Sequence, residues 1–313
     1  MEKSTQIIIT GAAGQLGQNT IIMLKDEGYV NIVAIDKHHD NNEVLRKLHP
    51  DVRVVEGDLA QEGDWESMFE GGGILLLMHA QITSLYLSEH ERNHITATKL
   101  VLAAAKKHGI SYIVHLSSSV VLSVADDFYT NTKREQERLV DLCDIPHCCL
   151  RPTLMFGWFD RTHFGWLYNF MRKSPVFPIP GNGKYLRQPL YARDMAAVVI
   201  SAMEKQPDSG HYNIIGREDI DYIDIIKSIK KINCLKTLIV KFPYRFFDFL
   251  LKSYAAIFKT APFTSQQLEA LTAGDYFESD PWWDIFDVPS TPFNEALAET
   301  YGHEEYSKIA LKL

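Results

Sequence analysis

Through the first half of the chain, short apolar runs alternate with stretches whose apolar residues recur at helical spacing. Apolar runs bounded by polar or turn residues are typical of strands buried on both faces of a sheet. The runs predict strands at Gln6–Thr10, Asn31–Ile35, Val52–Glu56, Gly73–Met78, Tyr112–Leu116 and His147–Leu150. The stretches between them predict helices that include Gln15–Glu27, Asp64–Phe69, Glu89–His108 and Tyr129–Leu142. This alternation favours an α/β fold in which helices cover both faces of a doubly wound parallel sheet.

The alternation stops near residue 152. Phe156–Gly183 is rich in aromatic residues, prolines and glycines, and its prolines cannot continue a helix or a central strand. Asp194–Lys205 is again helical in pattern. We therefore expect residues 1–152 to form a first domain, with residues 187–205 packing back on it. Residues 153–313 would form a smaller α+β substrate lobe over the carboxyl edge of the sheet, where ligands of such folds bind.

Three glycines spaced three apart, Gly11, Gly14 and Gly17, lie between the first strand and the first helix. Glycine lets the backbone turn tightly there, and lets a pyrophosphate approach the unpaired N–H groups of the helix N-terminus. The second strand leads into Asp36, whose carboxylate is placed to accept both hydroxyls of an adenosine ribose. This context predicts a Rossmann-like dinucleotide site rather than a structural turn. Asp36 would repel the 2′-phosphate of NADP, so NAD is the expected cofactor, although Lys37 beside it weakens the preference.

Candidate chemistry lies in the middle of the chain. Tyr129 and Lys133 are four residues apart, one helical turn, and so share a helix face. A nearby cation favours the phenolate of a tyrosine, which could then exchange protons near neutral pH. The strand before this helix ends in Ser117–Ser119, whose hydroxyls would face the same crevice. The alternative is an ordinary exposed Tyr and Lys on an amphipathic helix.

These motifs resemble those of extended short-chain dehydrogenase/reductases of the NAD-dependent epimerase/dehydratase family, nucleotide-sugar type. The stretch from Thr10 to Gly17 resembles the family's glycine loop, and Gly57-Asp58-Leu59 resembles the G-D-(I/L) that receives adenine. Leu150-Arg151-Pro152-Thr153 resembles the L-R-P-x at nicotinamide. Leu116-Ser117-Ser118 resembles the motif that ends the fifth strand, which favours Ser118 over Ser119 as the catalytic hydroxyl.

The resemblance implies a catalytic set of Ser118, Tyr129 and Lys133, in which Tyr129 is the general acid/base. It also implies that Arg187, seven residues before Asp194 as in the family's R-x6-D motif, grips a nucleotide-sugar diphosphate while Ser118 orients the reacting oxygen. The residues that it places at the cofactor are Gly11, Ala13, Gly14, Gln15, Leu16, Gly17, Asp36, Asp58, Leu59, Ala80, Gln81, Tyr129, Lys133, Pro152 and Thr153.

Two departures from the family pattern bear on the reaction. Ser118 is followed by Ser119 and Val120, whereas dehydratases carry Asp-Glu there, so a 4,6-dehydratase is disfavoured. The interval from Ser118 to Tyr129 also lacks the longer loop that shapes the sugar pocket of the epimerases. Three classes remain open: an epimerase or 4-keto reductase of a nucleotide sugar, an NAD(P)H-dependent reductase of another carbonyl compound, and a non-catalytic nucleotide sensor. The intact Tyr129 and Lys133 favour an enzyme.

Charge and cysteine content narrow the partners. The formal net charge is −8 with both signs interspersed, which argues against nucleic acid as a partner. No signal peptide fits before the first strand and no apolar run reaches the length of a spanning helix, so we expect a cytoplasmic protein. Adjacent Cys148 and Cys149 would point to opposite faces of their strand, so we predict reduced core cysteines and no metal site. His38 and His39 are expected in a solvated loop.

Two further segments concern assembly. Pro243–Lys259 predicts a helix with a narrow polar face, which we expect to pack in the second lobe rather than on a membrane. The helices Glu89–His108 and Tyr129–Leu142 carry small or apolar residues beyond one core stripe. In the family such helices pair across a two-fold axis, which implies a homodimer. The residues offered for that contact are Ala97, Val101, Ala104, Ala105, Leu139 and Leu142.

Overall fold

The computed structural model describes residues 1–82, 84–208, 210–257 and 276–312. Seven parallel strands form the central sheet in the order β11-β6-β5-β4-β1-β2-β3. Its strands are β1 (Ile7–Thr10), β2 (Ile32–Asp36), β3 (Arg53–Glu56), β4 (Gly73–Leu77), β5 (Ile110–Leu116), β6 (His147–Pro152) and β11 (His211–Ile214). The six strands predicted from the apolar runs are all present, each with ends within two residues of the expected ones. The predicted Rossmann-like doubly wound sheet is thereby confirmed.

Helices lie on both faces of this sheet and in the C-terminal part. They are α1 (Gln15–Asp26), α2 (His39–Leu48), α3 (Leu87–His90), α4 (Ala97–Lys107), α5 (Phe128–Asp141), α6 (Phe164–Lys173), α7 (Ala192–Lys205), α8 (Tyr222–Ile232), α9 (Tyr244–Ile257), α10 (Trp282–Ile285) and α11 (Phe293–Gly302). A π-helical turn over Glu91–Thr96 joins α3 to α4, so the predicted helix Glu89–His108 is continuous but not uniformly α-helical. Asp64–Phe69 is a 3-10 helix.

The expectation of a solvated loop holds for His38, which precedes α2, and is corrected for His39. His39 begins α2, a helix that the sequence reading missed because its apolar positions are few. His38 Nδ1 lies 2.8 Å from the Asp36 carboxylate, and His39 Nδ1 lies 2.8 Å from Glu56. Both side chains are exposed, and each ring interacts with an acidic side chain at the end of a strand.

Two segments beyond residue 152 join the central sheet and its covering layer. Helix α7 packs against α1, as the pattern of Asp194–Lys205 predicts, and buries Met195 and Val199 in the apolar layer on one face of the sheet. Strand β11, which was not predicted, pairs in parallel with β6 at the sheet's edge, and places His211 opposite Cys149. The central sheet therefore draws its last strand and one covering helix from the C-terminal half.

The rest of the C-terminal half forms a smaller lobe of helices and short two-stranded ladders. The strands are β7 (Met155–Phe156), β8 (Val176–Pro180), β9 (Leu186–Arg187), β10 (Leu190–Tyr191), β12 (Ile220–Asp221) and β13 (Leu238–Phe242). Its own apolar cluster includes Phe156, Phe177 and Ile226. The predicted helix Pro243–Lys259 is observed as α9, and residues 258 and 259 lie outside the described residues. Among the described residues, no helix is both long and apolar enough to cross a membrane.

Most of the residues that the sequence predicts at a dimer interface are buried in the core. Ala97, Val101, Ala104 and Ala105 are at most 3% exposed and belong to the apolar layer under the sheet. They cannot meet a second copy without unfolding this layer. Of the set, Leu142 is exposed. The assignment of these alanines to an intersubunit face is thus wrong, because helical spacing alone does not distinguish a core stripe from a surface stripe.

Candidate functional site: a dinucleotide crevice beside a Ser-Tyr-Lys cluster

The glycine loop leaves β1 at the carboxyl edge of the sheet. Gly11 has a positive φ of 68°, and a Cβ there would lie 2.8 Å from the His79 Cα atom. A Cβ on Gly17 would lie 2.5 Å from the Ala12 carbonyl oxygen, so glycine is required for α1 to pack this closely on the loop. Gly14 is the N-cap of α1, and the residues of its first turn, Gln15, Leu16 and Gly17, line the cavity described below. The loop therefore exposes backbone donors to a ligand, as the sequence predicts.

Asp36 ends β2 beside this loop. Its Oδ2 accepts a hydrogen bond from the Ala13 amide at 3.1 Å, and its Oδ1 accepts one from the His38 amide at 3.0 Å. The side chain is only 6% exposed but borders the cavity described below. These bonds hold the carboxylate at the end of the strand, where the predicted ribose contact requires it.

A small cavity of about 60 Å³ lies next to Asp36, between β2, β3 and β4. Asp58, Leu59 and Ala80, three of the predicted cofactor contacts, line it. Arg92 holds the Asp58 carboxylate through two hydrogen bonds and so lowers the pKa of this group against the effect of burial. Lys37 donates to Asn93 Oδ1 at 2.8 Å at the same rim.

Two predicted cofactor contacts do not border either cavity. Ala13 is fully buried and its amide is bound to Asp36. The Gln81 amide donates to His94 Nε2 at 2.8 Å, and its side-chain oxygen accepts from Asn93. Both residues thus brace the walls of the crevice in this structure.

The main cavity, of about 470 Å³, runs from the glycine loop to the ends of β5 and β6 and on to β9. It brings together the predicted catalytic, nicotinamide and substrate residues. These are Ser118, Tyr129, Lys133, Pro152, Thr153 and Arg187, together with Gly11, Gly14, Gln15, Leu16, Gly17 and Asp36.

Tyr129 owes its position to the start of α5. Asp127 caps this helix, since its carboxylate accepts from the Thr130 amide at 2.9 Å and from the Thr130 hydroxyl at 2.8 Å. The cap places Tyr129 in the first turn, facing the end of β5 where Ser118 is buried. Ser118 interacts with the phenol of Tyr129. The two hydroxyls that the sequence pairs are therefore neighbours.

The charge states differ from those that the sequence suggests. Burial raises the pKa of Tyr129, and the hydrogen bond with Ser118 opposes this rise. Burial also lowers the pKa of Lys133 to about 7, while the charge of Glu137 opposes that fall. The Lys133 ammonium donates to the Leu116 carbonyl at 2.8 Å and to Gln136 Oε1 at 2.6 Å. In this structure Lys133 does not lower the pKa of Tyr129, because desolvation dominates both groups.

Behind Tyr129 lies a buried histidine that sequence reasoning missed. His94 Nδ1 donates to the Thr132 hydroxyl at 2.8 Å, since this hydroxyl itself donates to the Phe128 carbonyl, and His94 Nε2 accepts from Gln81. The edge of its ring packs against the ring of Tyr129, with centroids 5.6 Å apart. Burial lowers the pKa of His94 to about 2, so the ring is neutral. No motif spacing connects His94 with Tyr129, because the contact arises from the packing of the π-helical turn on α5.

A second unforeseen group lies under the serines. Ser117 donates to Glu137 Oε2 at 2.5 Å, and Arg151 binds the same carboxylate with two nitrogens. These bonds hold the pKa of Glu137 below its usual value against the effect of burial. The chain of contacts links the ends of β5 and β6 to α5 one turn after Lys133. The feature of the sequence that could have indicated this contact is Arg151 in Leu150-Arg151-Pro152, together with an acidic residue, Glu137, in the preceding helix.

Two buried nitrogen atoms in the cavity wall are available to donate hydrogen bonds to a charged ligand. Gln15 Nε2 and Arg161 Nη1 are buried in its wall and have no hydrogen-bond partner among the described residues. Buried donors of this kind are costly unless a ligand or water satisfies them. Together with the glycine loop, they fit the pyrophosphate of a dinucleotide.

The family model for the NAD dependent epimerase/dehydratase family matches residues 7–214. The chain belongs to this family. The predicted resemblance to this family is confirmed.

Individual proteins of named activity are similar to the chain at low identity. A 3 beta-hydroxysteroid dehydrogenase/Delta 5→4-isomerase from Mycobacterium tuberculosis is 24% identical over 232 residues, which are 65% of this chain and 61% of that protein. A UDP-glucose 4-epimerase from Bacillus subtilis is 27% identical over 130 residues, 38% of each chain. The chain thus spans less than two thirds of the length of these relatives.

Among solved structures, a UDP-glucuronic acid 4-epimerase from Bacillus cereus in complex with NAD superposes with a TM-score of 0.75. The alignment covers 95% of this chain and 96% of that one, at 20% sequence identity. This likeness supports the fold over nearly the whole length of this chain, including the C-terminal lobe.

Proposed function

We propose that the protein catalyses NAD-dependent hydride transfer at a carbinol or carbonyl carbon of a nucleotide-linked sugar, as an epimerase or a 4-keto reductase. The observation that carries this proposal is the position of Arg187. Its side chain is only 8% exposed, yet it lines the same cavity as Ser118 and Tyr129. The relatives named as UDP-sugar epimerases support the same substrate class.

Arg187 is suited to bind a diphosphate. A guanidinium matches two phosphate oxygens at once, and such a grip away from the reacting carbon orients the sugar. The alternative of a pairing with Asp194 is not favoured, because the Asp194 carboxylate accepts from the Thr291 amide at 2.8 Å and from its hydroxyl at 2.6 Å. Arg187 lies at the end of β9, so residues beyond 152 would form the substrate lobe.

Bound NAD would accept or return the hydride at the reacting carbon. Tyr129 exchanges the proton of the reacting hydroxyl through its phenolic oxygen, and Ser118 donates a hydrogen bond to the same substrate oxygen. Lys133 would hold the nicotinamide ribose, and Asp36 would accept hydrogen bonds from the adenosine ribose. Pro152 and Thr153 form the wall of the cavity beyond β6.

A second candidate is a dehydrogenase or reductase of an apolar carbonyl compound. Ile82 lines the cavity mouth and is 57% exposed, and Phe277 and Leu154 line the cavity wall. Gln188 fixes Phe277 there through two hydrogen bonds to its backbone. The similarity to a steroid dehydrogenase supports this class, whose substrates would need no diphosphate grip.

Thermal unfolding with UDP tests the first candidate. A ligand that binds the folded state raises the melting temperature by mass action, so UDP should stabilise the wild-type protein. Arg187→Ala should abolish this shift while NAD still stabilises the variant. Arg172→Ala, on the exposed side of α6, is the matched control and should keep the UDP response.

The same protein separates the remaining alternatives. An epimerase ends each cycle with the cofactor it began with, so nucleotide released on denaturation should be NAD in near-stoichiometric amount. A reductase should instead consume NADH in solution. If no nucleoside diphosphate shifts the melting temperature and the protein reduces an apolar ketone, the second candidate would be favoured over the nucleotide-sugar substrate. Stabilisation by nucleotide without any turnover would indicate a sensor.

A further inference from the structure

A cluster of metal-ligand side chains lies on the outer edge of the sheet, away from the cavity. It is formed by Asp141, His147, Cys149 and His211, here called the edge cluster. His147 and Cys149 are two residues apart on β6 and therefore share a face of the strand. His211 on β11 is the register partner of Cys149, so its side chain emerges on the same face. The last turn of α5 brings Asp141 over this face.

Three of the distances within the edge cluster, all from Asp141, are close to those of a tetrahedral ligand set. Asp141 Oδ1 lies 3.1 Å from His211 Nε2, 3.5 Å from His147 Nε2 and 3.9 Å from Cys149 Sγ. The Asp141, His147 and Cys149 ligand atoms all lie within 4.8 Å of one another. Zinc-to-ligand bonds of about 2.0 to 2.3 Å put the corners of a tetrahedron roughly 3.3 to 3.7 Å apart. Asp141, His147 and Cys149 thus have nearly the spacing of a metal-ligand set, and His211, whose Nε2 lies 3.1 Å from Asp141 Oδ1, would complete it by a rotation of its ring.

The ring orientation of His147 also suits coordination. Its Nδ1 donates to the Ile145 carbonyl at 2.9 Å, and its Nε2 lies 3.5 Å from Asp141 Oδ1. Such a backbone contact on the other ring nitrogen is characteristic of histidines that bind metals, because it fixes the ring orientation.

Cys149 distinguishes this group from an ordinary ion-pair cluster. A buried thiol adds nothing to pairing between histidines and a carboxylate, but it supplies the soft ligand that favours zinc over magnesium or calcium. Cys148, the adjacent residue, packs in the apolar layer on the opposite face of the sheet. The two cysteines therefore do not share a site, which agrees with the prediction from the sequence. Cys149 instead lies beside possible metal ligands from β11 and α5.

We propose that Asp141, His147, Cys149 and His211 bind one Zn²⁺ ion in a closed structural site. The ion would join β11, which comes from the C-terminal half, to β6 and α5 of the first domain. Zn²⁺ binding would therefore stabilise the edge of the sheet and leave the chemistry of the cavity to its own residues. This revises the expectation of no metal site that the spacing of the cysteines suggests.

The test uses the full chain without a polyhistidine tag, stripped with a chelator and dialysed. Added Zn²⁺ should bind at one equivalent per chain by elemental mass spectrometry and raise the melting temperature, and a chelator should reverse both effects. Co²⁺ in its place should give thiolate-to-metal charge-transfer absorption in the near ultraviolet and the visible bands of tetrahedral coordination.

Variants identify the ligands. Cys149→Ser should remove the charge-transfer band, whereas Cys148→Ser, the buried neighbour, should keep it. Because Cys149→Ser changes a core position, His211→Gln provides a second test at a half-exposed ligand, with His39→Gln as its surface control. His211→Gln should lower zinc affinity at least tenfold.

Three outcomes would overturn the proposal: no zinc retained at micromolar concentration, a Co²⁺ spectrum without a thiolate band, or zinc binding that both Cys149→Ser and His211→Gln leave unchanged. Loss of the band in Cys143→Ser with retention in Cys149→Ser would also contradict this ligand set, because Cys143 follows α5 near His147.

Discussion

Lys133 donates a hydrogen bond from its ammonium to the carbonyl oxygen of Leu116, 2.8 Å away at the end of β5. This bond ties the middle of α5 to the strand that carries Ser118. Since Tyr129 lies one turn earlier on the same helix face, the bond also sets the distance between the phenol and the serine hydroxyl. Lys133 is therefore a positioning residue within the protein as well as a candidate ribose contact.

Tyr129→Phe tests the proposed proton transfer. The change removes the phenolic oxygen but keeps the ring that packs against His94. Turnover should fall by about 10² to 10⁴, the usual contribution of a general acid/base, while NAD binding is retained. Steady-state kinetics and NADH titration measure the two effects. Tyr86→Phe, at an exposed position, is the control, and unchanged turnover in Tyr129→Phe would refute the assignment.

Asp36→Ala tests cofactor choice. The wild-type protein should bind NADH more tightly than NADPH, because the Asp36 carboxylate accepts from the ribose and repels a 2′-phosphate. Loss of these charged hydrogen bonds should weaken NADH binding by about tenfold or more and should reduce the preference for NADH over NADPH. Fluorescence titration with both nucleotides gives the ratio. Asp40→Ala on the exposed side of α2 should leave it unchanged, and tighter binding of NADPH by the wild type would contradict the prediction.

Arg161→Gln asks which phosphate the unpartnered guanidinium nitrogen meets. Arg161 lines the cavity close enough to Asp36 to feel its charge. If it binds the pyrophosphate, as we expect, the change should weaken NADH and NADPH by similar factors. A loss confined to NADPH would instead place Arg161 at the 2′-phosphate. Arg172→Gln serves as the surface control in the same titrations.

The sheet, the glycine loop and the proximity of Ser118, Tyr129 and Lys133 were predictable because each depends on local sequence and on the order of the elements. Apolar runs give the strands, the glycine spacing gives the loop, and a four-residue interval places Tyr129 and Lys133 on one helix face. The carboxyl ends of parallel strands then bring these segments to one edge. Topology of this kind follows from the order of the elements along the chain.

What was missed depends on contacts between segments distant in sequence. His94 reaches Tyr129 only because a π-helical turn packs on α5, and His211 reaches Cys149 only because β11 pairs with β6. The pKa of Tyr129 was expected to fall beside a cation but rises, because the depth of burial is a tertiary property. Periodicity likewise could not show that Ala104 lies in the core rather than on the surface.

A homodimer remains a prediction, now with different contact residues. Leu87, Phe128 and Leu142, at the ends of the helices that flank the crevice, are each at least 40% exposed. Apolar side chains of this size are the kind that an isologous contact would cover. Multi-angle light scattering at micromolar concentration should give the dimer mass, and Phe128→Glu should shift it toward monomer. Trp166→Glu, at an exposed position of α6, is the control; a monomer mass for the wild type would exclude the dimer.

The buried histidines predict how stability depends on pH. Burial lowers the pKa of His94 to about 2 and that of His79 to about 3, whereas both should titrate near 6.5 in the unfolded chain. Between these values the unfolded state binds more protons than the folded state, so the free energy of unfolding decreases as pH falls below 6.5. Each ring contributes up to about 1.4 kcal/mol per pH unit to this loss.

His94→Gln should reduce the slope with which the free energy of unfolding falls below pH 6.5. The reduction should equal the contribution of one buried histidine. Glutamine suits the site because its oxygen can accept from the Gln81 amide and its nitrogen can donate to Thr132. Urea unfolding between pH 6.5 and 4.5 measures the slope. His39→Gln provides a control of opposite sign, since Glu56 raises the pKa of His39 and the charged ring therefore favours the folded state at low pH. A slope in His94→Gln as steep as that of the wild type would show that His94 is not held neutral in the folded protein.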